Sequence, residues 1–568
     1  MSKDKYFYLV LAISILITIP YLGLTDFYTK GEPREAIVAL TMLDTDNWIM
    51  PVNNGIDIAY KPPFFHWCIA SISSVYGDIN EYTSRLPSAL SFIFLVAAIY
   101  WFFQKKNRKS AFGTSLVFMT FFESHRAAFA CRVDMMLTLF IVLSLFLLYH
   151  WIVIKSMRGL PLSSILFINL GILTKGPVAL ILPFLVSIVY LLFRKQASWK
   201  CIFVKFFYIS FLSCILPALW YYSAWLQEGD SFLKLIYEEN IGRMIGTMSY
   251  QSHSGYWYMN LVYLLSGMMP YTIILLFMVP LLKSKIVVYI SNIKNKACLM
   301  PNDPMTLFNV VAITVIFIFY CIPDSKRSVY LLPMYPFLAY FVYKLVHNSY
   351  LNKICKYFEN VVFVLIILML SLYLLVRLGV IIPSASSIDK YIDAIKEYDM
   401  KCWQYCILLM PIFYFIVFKV RTESCYKVMS VECMVLLLFL CLDSVYQPII
   451  LNTKSDKSEA KLILNIAKSE KIYTYCSGNM MRFFAINFYS HDKLQPIRIS
   501  PEELKSSYFG QVKSEVDSGF LLVPNNDIRE FMEVSDGQYH LTSIYSSSKK
   551  GCDVRDYYTL YKFKKKIE

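Results

Sequence analysis

The chain has 568 residues, 57% of them hydrophobic and 17% charged, with a mean hydropathy of +0.49. An apolar excess gathered into runs of about 16–25 residues excludes an ordinary soluble domain and indicates helices crossing a bilayer about 30 Å thick. The net charge of +15 does not point to nucleic acid, because the lysines and arginines lie largely in short loops between apolar runs. No glycine-rich phosphate loop or basic–aromatic module accompanies them.

The first apolar run follows Lys3 and Lys5 and has no small-residue cleavage site after it, so it reads as a retained span. In chain order the spans are predicted at 6–24, 82–103, 110–123, 133–154, 160–173, 177–193, 202–225, 258–282, 305–322, 328–346, 359–382, 403–418 and 428–447. That is a polytopic α-helical membrane protein of about thirteen transmembrane helices, with 110–123 and 160–173 unusually short. With a cytoplasmic N-terminus, the inner loops, among them "QKKNRK" and "KSKIVVYISNIKNK", are the richer in lysine and arginine, as the positive-inside rule requires.

Three outer segments stand out by length: 25–81, 226–257 and 383–402. The first holds "PREAIVALTMLD", an amphipathic helix with Pro33 suited to its start, and "KPPFFHWCIASISSVYG", an aromatic-rich interfacial stretch. Residues 1–451 thus form a transmembrane domain. Residues 452–568 form a C-terminal extracytoplasmic α/β domain, in which "KIYTY", "GFLLV" and "HLTSIY" read as strands and "NMMRFFAINFYS" and "DIREFMEV" as helices. Most of the fourteen cysteines lie in apolar runs without a CxxC pair, which indicates packing and not metal. Cys476 and Cys552 lie in the polar tail, where an outer location permits a disulfide.

Mixed-sign charges collect at the outer boundary. They are Glu32, Arg34 and Glu35; Lys61 before Pro62 and Pro63; Arg126, Arg132 and Asp134; Lys175; Glu238, Glu239 and Arg243; His253; and Lys326 with Arg327. Ionisable groups at span ends are costly unless they meet water, a partner or a substrate. Cations beside a lipid phase suit a lipid-linked phosphate, can stabilise charge growing on it as a leaving group, and a neighbouring carboxylate can take a proton from an incoming hydroxyl. Each residue also has an ordinary reading: Lys175 can end one span, Asp134 can pair with Arg132 or Arg126, and His253 can be a loop histidine.

Taken in order, "GEPREAIVALTMLDTDNWIMPVNNGIDIAYKPPFFHW", "RVDMMLTLF", "LTKGPVAL", "NIGRM", "HSGYWYMNLVYLL" and "SKRSVYLLPMYPFLAY" resemble the type C glycosyltransferases that use polyprenyl-phosphate sugars. The nearest branch is the aminoarabinose-transferase and protein O-mannosyltransferase-like group, and the resemblance covers roughly residues 1–350. It implies a thirteen-span bundle with an outer α/β domain in the bacterial inner membrane. It also implies a polyprenyl-phosphate-sugar donor, a glycolipid or protein acceptor, and no nucleotide-sugar site. Arg34 and Lys61 fall at the lipid phosphate, Tyr330 serves as a hydroxyl donor to it, and Asp134 and Lys175 match the family's second acidic position and its lysine. Arg243, His253, Lys326 and Arg327 complete the substrate-binding set.

Two departures stand out. Gly31 occupies the place of the family's usual Asp base, leaving the base to Glu32, to Asp134 or to a folded-back Asp26, with Glu32 favoured. Tyr60 replaces the acid that would share a divalent metal with a histidine matching His253, which counts against a metal there. No cofactor is otherwise implied. The expected activity is transfer of a sugar from undecaprenyl phosphate to an acceptor hydroxyl on a lipid A-like glycolipid or cell-envelope glycan. Protein O-mannosyl transfer is the alternative within the class. A transporter or flippase is the alternative outside it, disfavoured by charges at one face and the lack of a repeat.

Overall fold

The computed structural model describes residues 4–54, 57–59, 61–242, 255–277, 303–347, 352–380, 386–420, 429–468, 470–476, 483–497, 516–535 and 537–566. Its first half is a run of helices. They are α1 (Lys5–Leu16), α2 (Pro33–Thr45), α3 (Phe64–Tyr76), α4 (Glu81–Phe103), α5 (Arg108–Met119), α6 (Phe122–Ala128), α7 (Val133–Val153), α8 (Leu162–Lys175), α9 (Val178–Arg194), α10 (Trp199–Glu228) and α11 (Asp230–Tyr237). The boundaries follow local chemistry. Asn80 and Thr83 form a capping box at the start of α4, Asn107 caps α5, and Pro33 occupies the first turn of α2, where no N–H is needed. Gly77 closes α3 in a left-handed conformation (φ 89°) that a side chain would strain.

Seven helices among the described residues are long and apolar enough to cross a membrane: Glu81–Phe103, Val133–Val153, Trp199–Glu228, Pro304–Cys321, Ser328–Val346, Ile354–Arg377 and Ser430–Asn452. Two further pairs are bent, Met259–Gly267 with Tyr271–Phe277 by 103° and Asp389–Glu397 with Cys402–Val417 by 110°. The expected straight span 258–282 is therefore broken near Pro270, which has no N–H to continue the helix, and residues 278–282 lie outside the described residues. The expected span 110–123 is divided between α5 and α6. At the break, the Thr120 hydroxyl bonds the Leu116 carbonyl (2.8 Å) and Tyr271 Oη (2.6 Å).

Beyond Asn452, a helix Lys457–Ala467 leads into a five-stranded mixed sheet built from β3 (Ile472–Thr474), β4 (Leu494–Pro496), β5 (Ser518–Pro524), β6 (Tyr539–Ser546) and β7 (Tyr558–Lys565), in the order β4-β3-β5-β7-β6. β3 runs parallel to β4 and β5, while β7 pairs antiparallel with β5 and β6. Phe520 and Leu522 pack on one face and Leu521 and Val523 on the other, which explains the unbroken apolar run in "GFLLV". Helices Phe484–Tyr489 and Ile528–Val534 stand where "NMMRFFAINFYS" and "DIREFMEV" predict them, the former shortened to its described part. β7 departs from the expectation: Tyr558 and Leu560 pack on one face and Phe563 on the other, and the lysines between them break up the apolar pattern. Cys476 and Cys552 are separate thiols, so the anticipated disulfide is not formed.

The sheet module sits against the first outer segment. Lys457 reaches Asp26 (2.9 Å) and Glu81 (2.7 Å), and the Tyr489 hydroxyl accepts the Phe27 N–H (2.9 Å) while donating to Glu81 (2.8 Å). Asn487 donates to Asn54 and to Asp492 (2.6 Å), and the Asn54 N–H donates to Asp492 (2.8 Å). Asn54 closes the small antiparallel pairing of β1 (Val52–Asn53) with β2 (Asp57–Ile58), just before Lys61.

Candidate functional site

Pro33 starts α2 so that Arg34 and Glu35 lie in its first turn. Pro62 and Pro63 then stiffen the approach to α3, presenting Lys61 before it and His66 one turn in. These elements converge on Glu35. Its Oε1 takes Lys61 Nζ and Arg34 Nη2 (3.4 Å), and its Oε2 meets His66 Nε2 (3.0 Å). Burial opposes ionisation of Glu35, but Lys61, His66 and Arg34 outweigh it and hold the carboxyl well below the usual carboxylate range. Burial also draws the Lys61 ammonium down to about 8, with Glu35 restoring part of the loss. The pair is ionised at neutral pH, with Lys61 close to its limit.

Beside this hub, Asp134 in the first turn of α7 meets Lys175 at the end of α8, Oδ1 to Nζ at 2.5 Å. Lys175 lies 4.6 Å from the Tyr330 ring, and Tyr330 stacks on Tyr320 at 5.5 Å. Asp134 therefore pairs with Lys175, not with Arg132 or Arg126 as the sequence allowed. Asp134 Oδ2 makes no hydrogen bond among the described residues.

Glu32, the favoured base, is placed differently. It is 4% exposed, its two oxygens take Arg85 Nε (2.8 Å) and Nη2 (3.2 Å), and Oε1 also accepts the Cys131 N–H (3.0 Å). Arg85 is 1% exposed and also holds the Leu22 carbonyl (2.8 Å) and the Thr25 hydroxyl (2.9 Å). Glu32 is the carboxylate of a buried ion pair that ties the chain between α1 and α2 to Arg85, and both of its oxygens are engaged. Asp26 does not fold back toward a base position either, since Lys457 holds it.

The remaining expected residues divide. Lys326 is 4% exposed and donates to the carbonyls of Tyr320 (3.4 Å), Cys321 (2.8 Å) and Pro323, so it caps the helix Pro304–Cys321 from its C-terminal end. Arg327 follows it, with its Nε buried and without a hydrogen bond among the described residues. Arg243, His253 and Tyr60 lie outside the described residues. Among the described residues no three His, Cys, Asp or Glu side chains cluster as metal ligands would.

Three contributors escaped the sequence reading. Arg85 lies inside the apolar run 82–103 and was taken as part of a span. His66 lies inside an aromatic stretch. Glu35, noted only among the outer charges, is the hub, and its i, i+1 position after Arg34 was the available signal. Taken together, Arg34, Lys61, Arg85, Arg126, Arg132 and Lys175 stand against Glu32, Glu35, Glu123 and Asp134, leaving two positive charges in excess. A desolvated cluster of that sign suits an anion at the lipid boundary.

The model of the dolichyl-phosphate-mannose-protein mannosyltransferase family matches residues 60–221. An uncharacterised protein of Aquifex aeolicus is 25% identical over 65% of this chain and 70% of its own length. The undecaprenyl phosphate-alpha-4-amino-4-deoxy-L-arabinose arabinosyl transferase of Shewanella sediminis is 24% identical over 62% of each chain. One from Pseudomonas fluorescens is 28% identical over 47% of this chain and 48% of its own. The chain thus spans about half to two thirds of the length of those named transferases. The crystal structure of ArnT from Cupriavidus metallidurans bound to undecaprenyl phosphate superposes with a TM-score of 0.70 at 16% identity, covering 99% of this chain and 98% of that one. The chain thus has the fold of that ArnT structure, and its apolar helices make it a multi-pass membrane protein. The matching family model and the named relatives are transferases whose names give a dolichyl- or undecaprenyl-phosphate-linked sugar, and each matches part of this chain.

Proposed function

We propose that the protein transfers a sugar from a polyprenyl (undecaprenyl) phosphate carrier to an acceptor hydroxyl at the outer face of the bacterial inner membrane. The observation that carries this reading is the Asp134–Lys175 pair set beside the Glu35–Lys61–Arg34 hub, with cations in excess. Lys61 and Arg34 take the carrier phosphate, and Tyr330 hydrogen-bonds it. The acceptor oxygen attacks the anomeric carbon, the bond from that carbon to the phosphate oxygen breaks with inversion, and Asp134 Oδ2 receives the acceptor's proton. The charge growing on the departing phosphate falls to Lys61, Arg34 and Lys175. The base is thus Asp134, and Glu32 supports the site through Arg85.

In this reading the chain has the thirteen spans expected from its sequence, with the N-terminus in the cytoplasm on the positive-inside rule and the 452–568 module in the periplasm, beyond a transmembrane domain of 1–451. The named relatives carry an undecaprenyl phosphate-linked sugar in their names, and the acceptor in this reading is a lipid A-like glycolipid or envelope glycan. The family match over 60–221 favours, as a second reading, Ser/Thr of exported proteins. The test is transfer from a defined undecaprenyl-phosphate sugar in proteoliposomes, comparing wild type with Lys61→Ala, Asp134→Asn and Glu32→Gln. Equal rates in all four overturn the site. Mass analysis of envelope lipids and proteins from cells lacking the chain separates the two acceptors.

A further inference from the structure

Gly31 is buried at the foot of α2, and its backbone is outside the left-handed region, so conformation does not demand a glycine. A Cβ built on Gly31 would lie 1.7 Å from Arg132 Nη2 and 2.4 Å from its Cζ, so a side chain at 31 would displace the Arg132 guanidinium from the place it fills. This half-buried guanidinium makes no hydrogen bond or ion pair among the described residues. The nearby carboxylates are committed elsewhere: Glu32 to Arg85, Glu123 to Arg126, and one oxygen of Asp134 to Lys175. A half-buried guanidinium with five donors in a rigid fork and no bonded carboxylate among the described residues is matched by a carboxylate or phosphate oxyanion.

We infer that Arg132, seated in the notch left by Gly31, binds a second oxyanion, distinct from the carrier phosphate at Lys61 and Arg34. The inference rests on the glycosyltransferase reading for its context: the oxyanion is a carboxylate on the transferred sugar or a phosphate on the acceptor. The same guanidinium disfavours a donor whose sugar carries a positively charged amine at this position.

The test uses the full chain in nanodiscs saturated with undecaprenyl phosphate, titrated calorimetrically with inorganic phosphate and, separately, with glucuronate. Wild type is expected to bind at least one of them. Arg132→Gln and Gly31→Ala should bind it at least tenfold more weakly and Arg132→Lys to an intermediate degree, each variant being saturated with undecaprenyl phosphate before the titration. Tighter phosphate binding assigns the oxyanion to the acceptor, and tighter glucuronate binding assigns it to the sugar. The inference is overturned if the saturated wild type binds neither anion, or if Arg132→Gln and Gly31→Ala bind as wild type does. Failure of sugar transfer in proteoliposomes while the anion still binds strikes the activity and leaves the subsite standing. Transfer that proceeds without a second anion site does the reverse.

Discussion

Two regions meet on the first outer segment, and they handle charge in opposite ways. At the seam with the sheet module, Lys457, Asp26, Glu81, Tyr489, Asn487, Asn54 and Asp492 form a network in which cation and carboxylates answer one another. At the site, cations outnumber carboxylates, Asp134 keeps one oxygen unbonded and Lys61 stands near its titration limit. A network whose polar groups bond one another fixes geometry, whereas one that keeps a carboxylate oxygen unengaged beside surplus cations suits a ligand. The hairpin of β1 and β2 connects the two, so the seam supports the segment that presents Lys61.

The sharpest test of that contrast is Asp134→Asn, expected to lower kcat about 10²–10⁴-fold with little change in donor KM, read by single-turnover transfer. Glu32→Gln comes next and acts on stability. It leaves Arg85 buried with a neutral partner, which should cost up to about 3–5 kcal/mol, seen as a lowered unfolding midpoint in detergent before any change in chemistry.

The third test is pH. Lys61 carries its charge below about 8 and loses it above, so affinity for undecaprenyl phosphate should fall between pH 7 and 9, while Lys61→Arg stays flat. Stability moves the other way. The folded lysine releases its proton more readily than an ordinary one near 10.5, so burying the charge costs the fold below about 8, and that cost is relieved as pH rises between the two values. Weaker binding accompanied by a more stable fold across this window would separate Lys61 from a merely structural cation. The smallest effect is expected at the seam, where Asn487→Ala should cost about 1–3 kcal/mol. Limited proteolysis of the sheet module should detect it, and transfer should fall less than in the site variants.

Arg34, Lys61, Asp134 and Lys175 were legible as candidates because each is an ion near an apolar run, and the structure brings them together around Glu35 and Asp134. Glu32 misled for the same reason. Its partner Arg85 lies 53 positions away inside a run that reads as pure span, so nothing local shows that the carboxylate is taken. Lys326 likewise looks like its neighbours in sequence and is claimed by three helix-end carbonyls.

The sequence by itself determined the membrane class, most of the long helices, the strands β3, β5 and β6 and the gathering of mixed-sign charge near the ends of apolar runs. These follow from hydropathy and periodicity, which are properties of neighbours along the chain. Only the tertiary structure decided which carboxylate is sealed and which is available, that 258–277 bends, and that Arg132 fills the place beside Gly31. Pairing between ions depends on distances between helices, and residues far apart in the chain set those distances.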